Sequence, residues 1–208
     1  NGECVFSRIC GFGCTATSWG QFSRVYAKNS INIKNQVNDS SFTQTSKETS
    51  SQYSIFDLVY GKILCPSVNI TNNECYRYTA IYCNPASSDT CYISYSSIVN
   101  NTANGGYNCI WFEKSDASYF INTCNILNNK QTTSSYGTIY AYANLHIKDS
   151  CILGNNEGYT VFYEDSSSKQ ITISNCTIDN GRSYGSVTIT KTIESSFINA
   201  LSHIATQS

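Results

Sequence analysis

Cysteine is the first residue type in this 208-residue chain that invites a chemical reading. Eleven are present, at Cys4, Cys10, Cys14, Cys65, Cys75, Cys83, Cys91, Cys109, Cys124, Cys151 and Cys176. None forms a Cys-x-x-Cys pair, and the two histidines, His146 and His203, lie far apart. A zinc site therefore lacks its usual ligand spacing. Disulfides formed in an oxidising compartment fit the count better. An odd number leaves at least one thiol free or bonded to another chain. Four Asn-X-Ser/Thr acceptor sequences, at Asn38, Asn69, Asn100 and Asn175, point to the same secreted or cell-surface setting.

Acid–base chemistry on a polysaccharide would need clustered carboxylates with a nearby His and an Arg-x-Lys, or an arginine base beside acidic calcium ligands. The acidic residues are scattered, and Arg8, Arg24, Arg77 and Arg182 do not share a register with carboxylate pairs. Glu113 and Glu164 lie three residues past Ile110 and Val161, but Tyr142 comes between them. Glu164 and Asp165 read as a solvated edge rather than a calcium site. The expectation is a protein without catalysis, metal or cofactor other than N-linked glycans.

Totals narrow the partners. Charged residues make up 13% of the chain and the formal net charge is −1, so no basic surface for nucleic acid is expected. No apolar run approaches the length of a membrane span. The chain begins at Asn1 and contains no Met, which reads as a processed protein or a piece of a longer one.

The elements that position these residues repeat. Ile70, Ile98, Ile126, Leu153 and Ile178 each precede an Asn-rich turn, at steps of 28, 28, 27 and 25. Stepping back reaches Phe42, and stepping forward reaches Phe197. A second column runs through Ile55, Ile81, Ile110, Ile139, Val161 and Val187. Short β-rich runs with a period near 26 and no helical periodicity predict an all-β fold, a right-handed parallel β-helix of six or seven coils. At the usual strand spacing such a rod is about 30 Å tall. Residues 1–24 read as a cysteine-rich cap or irregular first coil, and 25–208 as the β-helix, one domain overall. The C-terminal end shows no clear cap. A β-sandwich would instead require two-residue turns every 8 to 12 residues.

Three further expectations follow from the columns. Asn72, Asn100, Asn128, Asn155, Asn180 and Asn199, two past each anchor, form an amide ladder at a corner. Asn100 would then face inward, which favours Asn38, Asn69 and Asn175 as glycan acceptors. Cys124, Cys151 and Cys176, two before their anchors, stack; one pair bonds, or all three are buried thiols. Cys4, Cys10 and Cys14 crowd the N-terminal end as further disulfide candidates. Finally, Phe56, Tyr82, Trp111, Tyr140 and Phe162 form an outward aromatic strip that suits sugar rings or an apolar partner, unless a one-residue slip returns it to the core.

The phrases "IVNN", "ILNN" and "ITNN" resemble the FxxN half of a known repeat, and "YGTIY", "YGSVT" and "NGGYNCIW" its GGA(I/V/L) half. That pairing resembles the polymorphic β-helix surface proteins, including chlamydial polymorphic membrane proteins and trichomonad surface families. The resemblance spans roughly residues 20 to 200 and implies an adhesive or structural surface role without catalysis. Its expected partners are a second copy stacked end to end, or matrix or host carbohydrate or protein. The alternative expectation is a carbohydrate-binding or polysaccharide-active module that uses the aromatic face.

Overall fold

The computed structural model describes residues 2–14, 22–44, 54–77, 80–105, 109–132, 136–155, 160–179 and 181–192. Phe197, Asn180, Asn199, His203 and the C-terminal end lie outside them. The chain winds as a parallel β-solenoid. Its strands fall into three main sheets of seven, eight and seven strands, plus a short three-stranded ladder. The first sheet runs from Ser23–Tyr26 to Ser183–Tyr184, the second from Cys4–Ser7 to Val187–Thr190, and the third from Cys10–Phe12 to Thr177–Ile178. Among the described residues the strand pairings between neighbouring coils are parallel, as a coil-on-coil winding requires. Residues 4–12 supply one strand each to the second and third sheets, pairing with Lys34–Asn38 and Ser40–Thr43. Among the described residues no helix is long and apolar enough to cross a membrane.

Alternation along the strands builds the core. In the second sheet one inward column reads Phe6, Val37, Cys65, Ile93, Ile121, Ile147, Ile173, Ile189. In the third sheet the inward column reads Phe42, Ile70, Ile98, Ile126, Ile152, Ile178. The anchor in the fifth of these positions is thus Ile152, not Leu153. Both are apolar neighbours in "CIL", so the pattern alone admits either choice.

The amide ladder stands three residues past the inward isoleucine rather than two, so that of the expected rungs only Asn155 is kept. The buried rungs are Asn73, Asn101, Asn129 and Asn155, three residues past each isoleucine. Each rung's Oδ1 accepts from both the backbone N–H and the Nδ2 of the rung before it: Asn73 to Asn101 at 3.1 and 2.9 Å, Asn101 to Asn129 at 3.1 and 2.9 Å, Asn129 to Asn155 at 3.0 and 3.0 Å. The second Nδ2 proton goes to a carbonyl one coil away, as from Asn101 to Ile70 at 2.9 Å. Asn72, Asn100 and Asn128 instead take the left-handed conformation at the turn, with φ of 55°, 55° and 54°, and face solvent. Asn tolerates that conformation better than most residues.

From Cys65 onward the cysteines are buried and serve the fold as small core residues. None of the eleven is bonded to another. Cys124 and Cys176 share a corner column with Ser40, Ser96 and Ser150, and there the side chain caps the carbonyl two residues back. Ser96 Oγ donates to Ser94 at 2.8 Å, Cys124 Sγ to Asn122 at 3.3 Å, Ser150 Oγ to Lys148 at 2.8 Å and Cys176 Sγ to Ser174 at 3.2 Å. The thiol is a weaker stand-in for the hydroxyl. Cys151 is one register out of that column and pairs with Asn125 and Thr177, so the expected three-cysteine stack is not formed.

Candidate functional site

The first sheet carries the aromatic face. Its outward column reads Arg24, Asp57, Tyr82, Trp111, Tyr140, Tyr163, Tyr184. Tyr82, Trp111 and Tyr140 stand where expected. Phe56 and Phe162 do not: both are fully buried in the core, and their neighbours Asp57 and Tyr163 take the outward positions. The cause is the corner that leads into this sheet. Ile55 and Phe56, and likewise Val161 and Phe162, are consecutive buried residues, so the outward position falls two past Ile55 and Val161 rather than one. Val187 belongs to the second sheet, opposite Ile171.

The rings stack on one another along the solenoid axis. Trp111 and Tyr140 lie 4.0 Å apart at 21°, Tyr140 and Tyr163 5.5 Å apart at 14°, and Tyr163 and Tyr184 4.5 Å apart at 15°. Tyr136 packs against Trp111, Tyr140 and Tyr163 from the side. Tyr140 is consequently buried, and its hydroxyl donates to Asp165 at 2.7 Å. Burial, then the Asp165 carboxylate, hold that phenol well above its usual range. Trp111 donates its indole N–H to Glu113. Stacked rings cover each other's faces and present edges outward, so a sugar finds little flat surface along the column. Tyr184 is the last ring of the described column and is 56% exposed.

At the other end of this column Arg24 Nε meets Asp57 Oδ2 at 2.7 Å. Burial raises the Asp57 carboxyl to about 6, opposed by the Arg24 charge. A second stack, on the second sheet, was not anticipated from sequence. Tyr92 and Phe120 lie 4.7 Å apart at 10°, Phe120 and His146 5.4 Å apart at 20°, and Lys62 Nζ sits 5.8 Å from the Tyr92 ring. Its register, Leu64, Tyr92, Phe120, His146, has the same spacing near 28, but no repeated phrase marks it. His146 is the end of an aromatic stack.

The remaining candidates separate by exposure. Asn69 is 4% exposed in the middle of a strand, where no glycan fits, which corrects the preference for it. Asn100 and Asn175 lie exposed at corners; Asn100 Nδ2 donates to Asn72 at 3.3 Å and Asn175 Nδ2 to Asp149 at 2.5 Å. Asn38 is partly exposed and donates to Ser7 and Asp39. Burial pushes the thiols of Cys65, Cys75 and Cys83 well up and that of Cys124 to about 12, so these are poor nucleophiles. Cys10 is exposed, and Cys4 and Cys14 are half-buried. Among the described residues no group of three His, Cys, Asp or Glu side chains converges as a metal site would.

The ends differ from the body. The core members that stay only partly buried are Cys4, Phe6, Ile9 and Phe22 near the N-terminus, and Ile178, Val187 and Ile189 in the last described coils. Val5, Phe12 and Tyr26, at 54%, 71% and 56% exposure, point outward from the first strands. No protein-family model, curated protein or solved structure matches this chain.

Proposed function

We propose that this chain is a non-catalytic extracellular surface module, structural or adhesive, that joins copies of itself end to end. The observation that carries the reading is that, among the described residues, the core is only half-buried in the first and last coils. An outermost strand also has one unpaired row of backbone N–H and C=O groups, which another strand can complete. The second sheet fits this best, because it holds the Cys4–Ser7 strand at one end and the Val187–Thr190 strand at the other. Laid in register, Val187 of one copy is followed by Cys4 of the next, and Ile189 by Phe6. Both inward columns then continue without a break. A head-to-tail contact of this kind does not close, so it propagates.

The Ile-x-x-Asn rungs match the FxxN spacing of the polymorphic surface repeats, which supports placing the chain with surface β-helix proteins. Exposed acceptor sequences at Asn100 and Asn175 support an extracellular setting with N-linked glycans. Edge-on stacking of the tyrosine column favours this reading over a sugar-binding strip. Sedimentation velocity and negative-stain microscopy over a concentration series test it. Rods that lengthen with concentration are expected; uniform short particles at every concentration would overturn it.

A further inference from the structure

The inward column of the first sheet reads Val25, Leu58, Cys83, Phe112, Ala141 and then Glu164. A carboxylate at a core position is costly unless its oxygens are satisfied. Glu164 is 3% exposed. Its Oε1 accepts from the Ser166 backbone N–H at 2.5 Å and its Oε2 from that of Ser186 at 3.3 Å. A carboxylate has about four acceptor positions, so about two remain unfilled by these bonds. Glu164 also lines a pocket of about 320 Å³, together with Asp165, Ser166, Ser167, Tyr184, Gly185 and Ser186. That volume lies at the small end of the range for small-molecule sites, roughly 300–1,000 Å³.

Local backbone geometry keeps the pocket formed. Gly185 has φ +80°, and a Cβ there would collide with the Glu164 carbonyl oxygen and come within 2.9 Å of Glu164 Oε2. Only glycine lets the backbone pass this close to the carboxylate. Asp165 is tied to the aromatic stack through Tyr140. Tyr184, the terminal ring, forms one wall.

We propose that this pocket binds a neutral pyranose sugar. Carboxylate oxygens accept from sugar hydroxyls, serine hydroxyls both give and accept, and the exposed tyrosine ring meets the apolar C–H face of the ring. Two carboxylates disfavour uronic, sialic and sulfated sugars by like-charge repulsion. The inference rests on the adhesive half of the proposed function, for which it supplies a ligand class, but not on end-to-end joining.

The test is saturation-transfer NMR and calorimetry with methyl glucoside, galactoside, mannoside and N-acetylglucosaminide, in EDTA, at concentrations where the protein is monomeric. At least one is expected to bind at millimolar Kd, more tightly than the matching uronate. Tyr184→Ala is expected to weaken binding tenfold or more. Gly185→Ala, whose Cβ would collide with the Glu164 carbonyl and displace that wall of the pocket, is expected to do the same while circular dichroism shows the fold retained. Tyr95→Ser, at a distant corner, is expected to leave it unchanged. No binding by the panel, binding indifferent to both pocket variants, or binding of calcium alone would overturn the proposal. Joining of copies is read separately by particle length, so either idea can fail without the other.

Discussion

The middle coils and the end coils are built from the same columns but are finished differently. In the middle, Asn101 is satisfied on both sides, by Asn73 and by Asn129, and Ile121 is fully buried between Ile93 and Ile147. Among the described residues the same inward column runs out to Phe6 and Ile189, each only partly buried. A solenoid coil cannot cover its own upper and lower edge; its neighbours do that. The difference teaches that stability belongs to the middle, whereas the capacity to join belongs to the ends.

The comparison can be broken most severely at the amide ladder. Asn101→Ala removes the partner of Asn73, of Asn129 and of the Ile70 carbonyl, all buried. At roughly 1–3 kcal/mol for each unsatisfied group, a loss of about 3–5 kcal/mol is expected. For a chain of this size that is a fall in Tm of about 10 °C or more. Asn100→Ala, one residue earlier and exposed, is expected to cost about 1 kcal/mol. Urea unfolding midpoints for the two variants check this contrast.

Next in size is one column sampled twice. Ile121→Ala in the middle is expected to cost about 2–5 kcal/mol as a buried cavity. Ile189→Ala in the last strand is expected to cost about 1 kcal/mol, yet to shorten assemblies that Ile121→Ala leaves at full length when folded. Equal losses of stability would end the distinction between middle and end.

The Asp57–Arg24 pair gives a pH signature near the N-terminal end. Asp57 titrates at about 6 in the fold against 3.8 when unperturbed. A carboxyl raised on folding favours the folded state while protonated. That contribution is therefore complete below about pH 3.8 and is lost as pH rises through about 6. The shift of about two units corresponds to about 2–3 kcal/mol. Relative to wild type, Asp57→Asn is expected to flatten the fall in stability between pH 4 and 7, read from urea midpoints at each pH. The smallest effect is expected at Cys124→Ser, below about 1 kcal/mol, because Ser96 and Ser150 occupy adjacent rungs of the same corner.

The winding was legible in the sequence because isoleucine and asparagine recur together at steps near 28. The register was legible where the isoleucine leads directly into the Asn pair, as at Ile70, Ile98 and Ile126. "SIF", "TVF" and "CIL" offer two apolar candidates each, and there the inward strand residues are Phe56, Phe162 and Ile152 rather than Ile55, Val161 and Leu153. The corner between the second and third sheets was invisible. Its left-handed residues are Arg8, Asp39, Ser67, Tyr95, Thr123, Asp149 and Asn175, with φ between 48° and 56°. Conformation repeats there while residue type does not. Cysteine misled for a related reason: spread through an ordinary core, it serves as a small apolar or serine-like residue, and count alone cannot separate that use from disulfide bonding. The Glu164 pocket was hidden because its carboxylate occupies a core column, a fact that only the coil-to-coil pairing reveals.

End-to-end joining is tested most directly by a cross-link across the proposed seam. Adjacent strands lie about 4.8 Å apart, within disulfide reach. Val187→Cys, with Cys10→Ser and Cys14→Ser to silence competing thiols, places a new thiol opposite Cys4 of the next copy. Mild oxidation is expected to give a ladder of covalent multimers on non-reducing gels, with peptide mapping that joins Cys4 to position 187, and no ladder in the Cys4→Ser control. A chain that stays monomeric under oxidation, while the thiol at position 187 reacts freely with maleimide, would contradict the account.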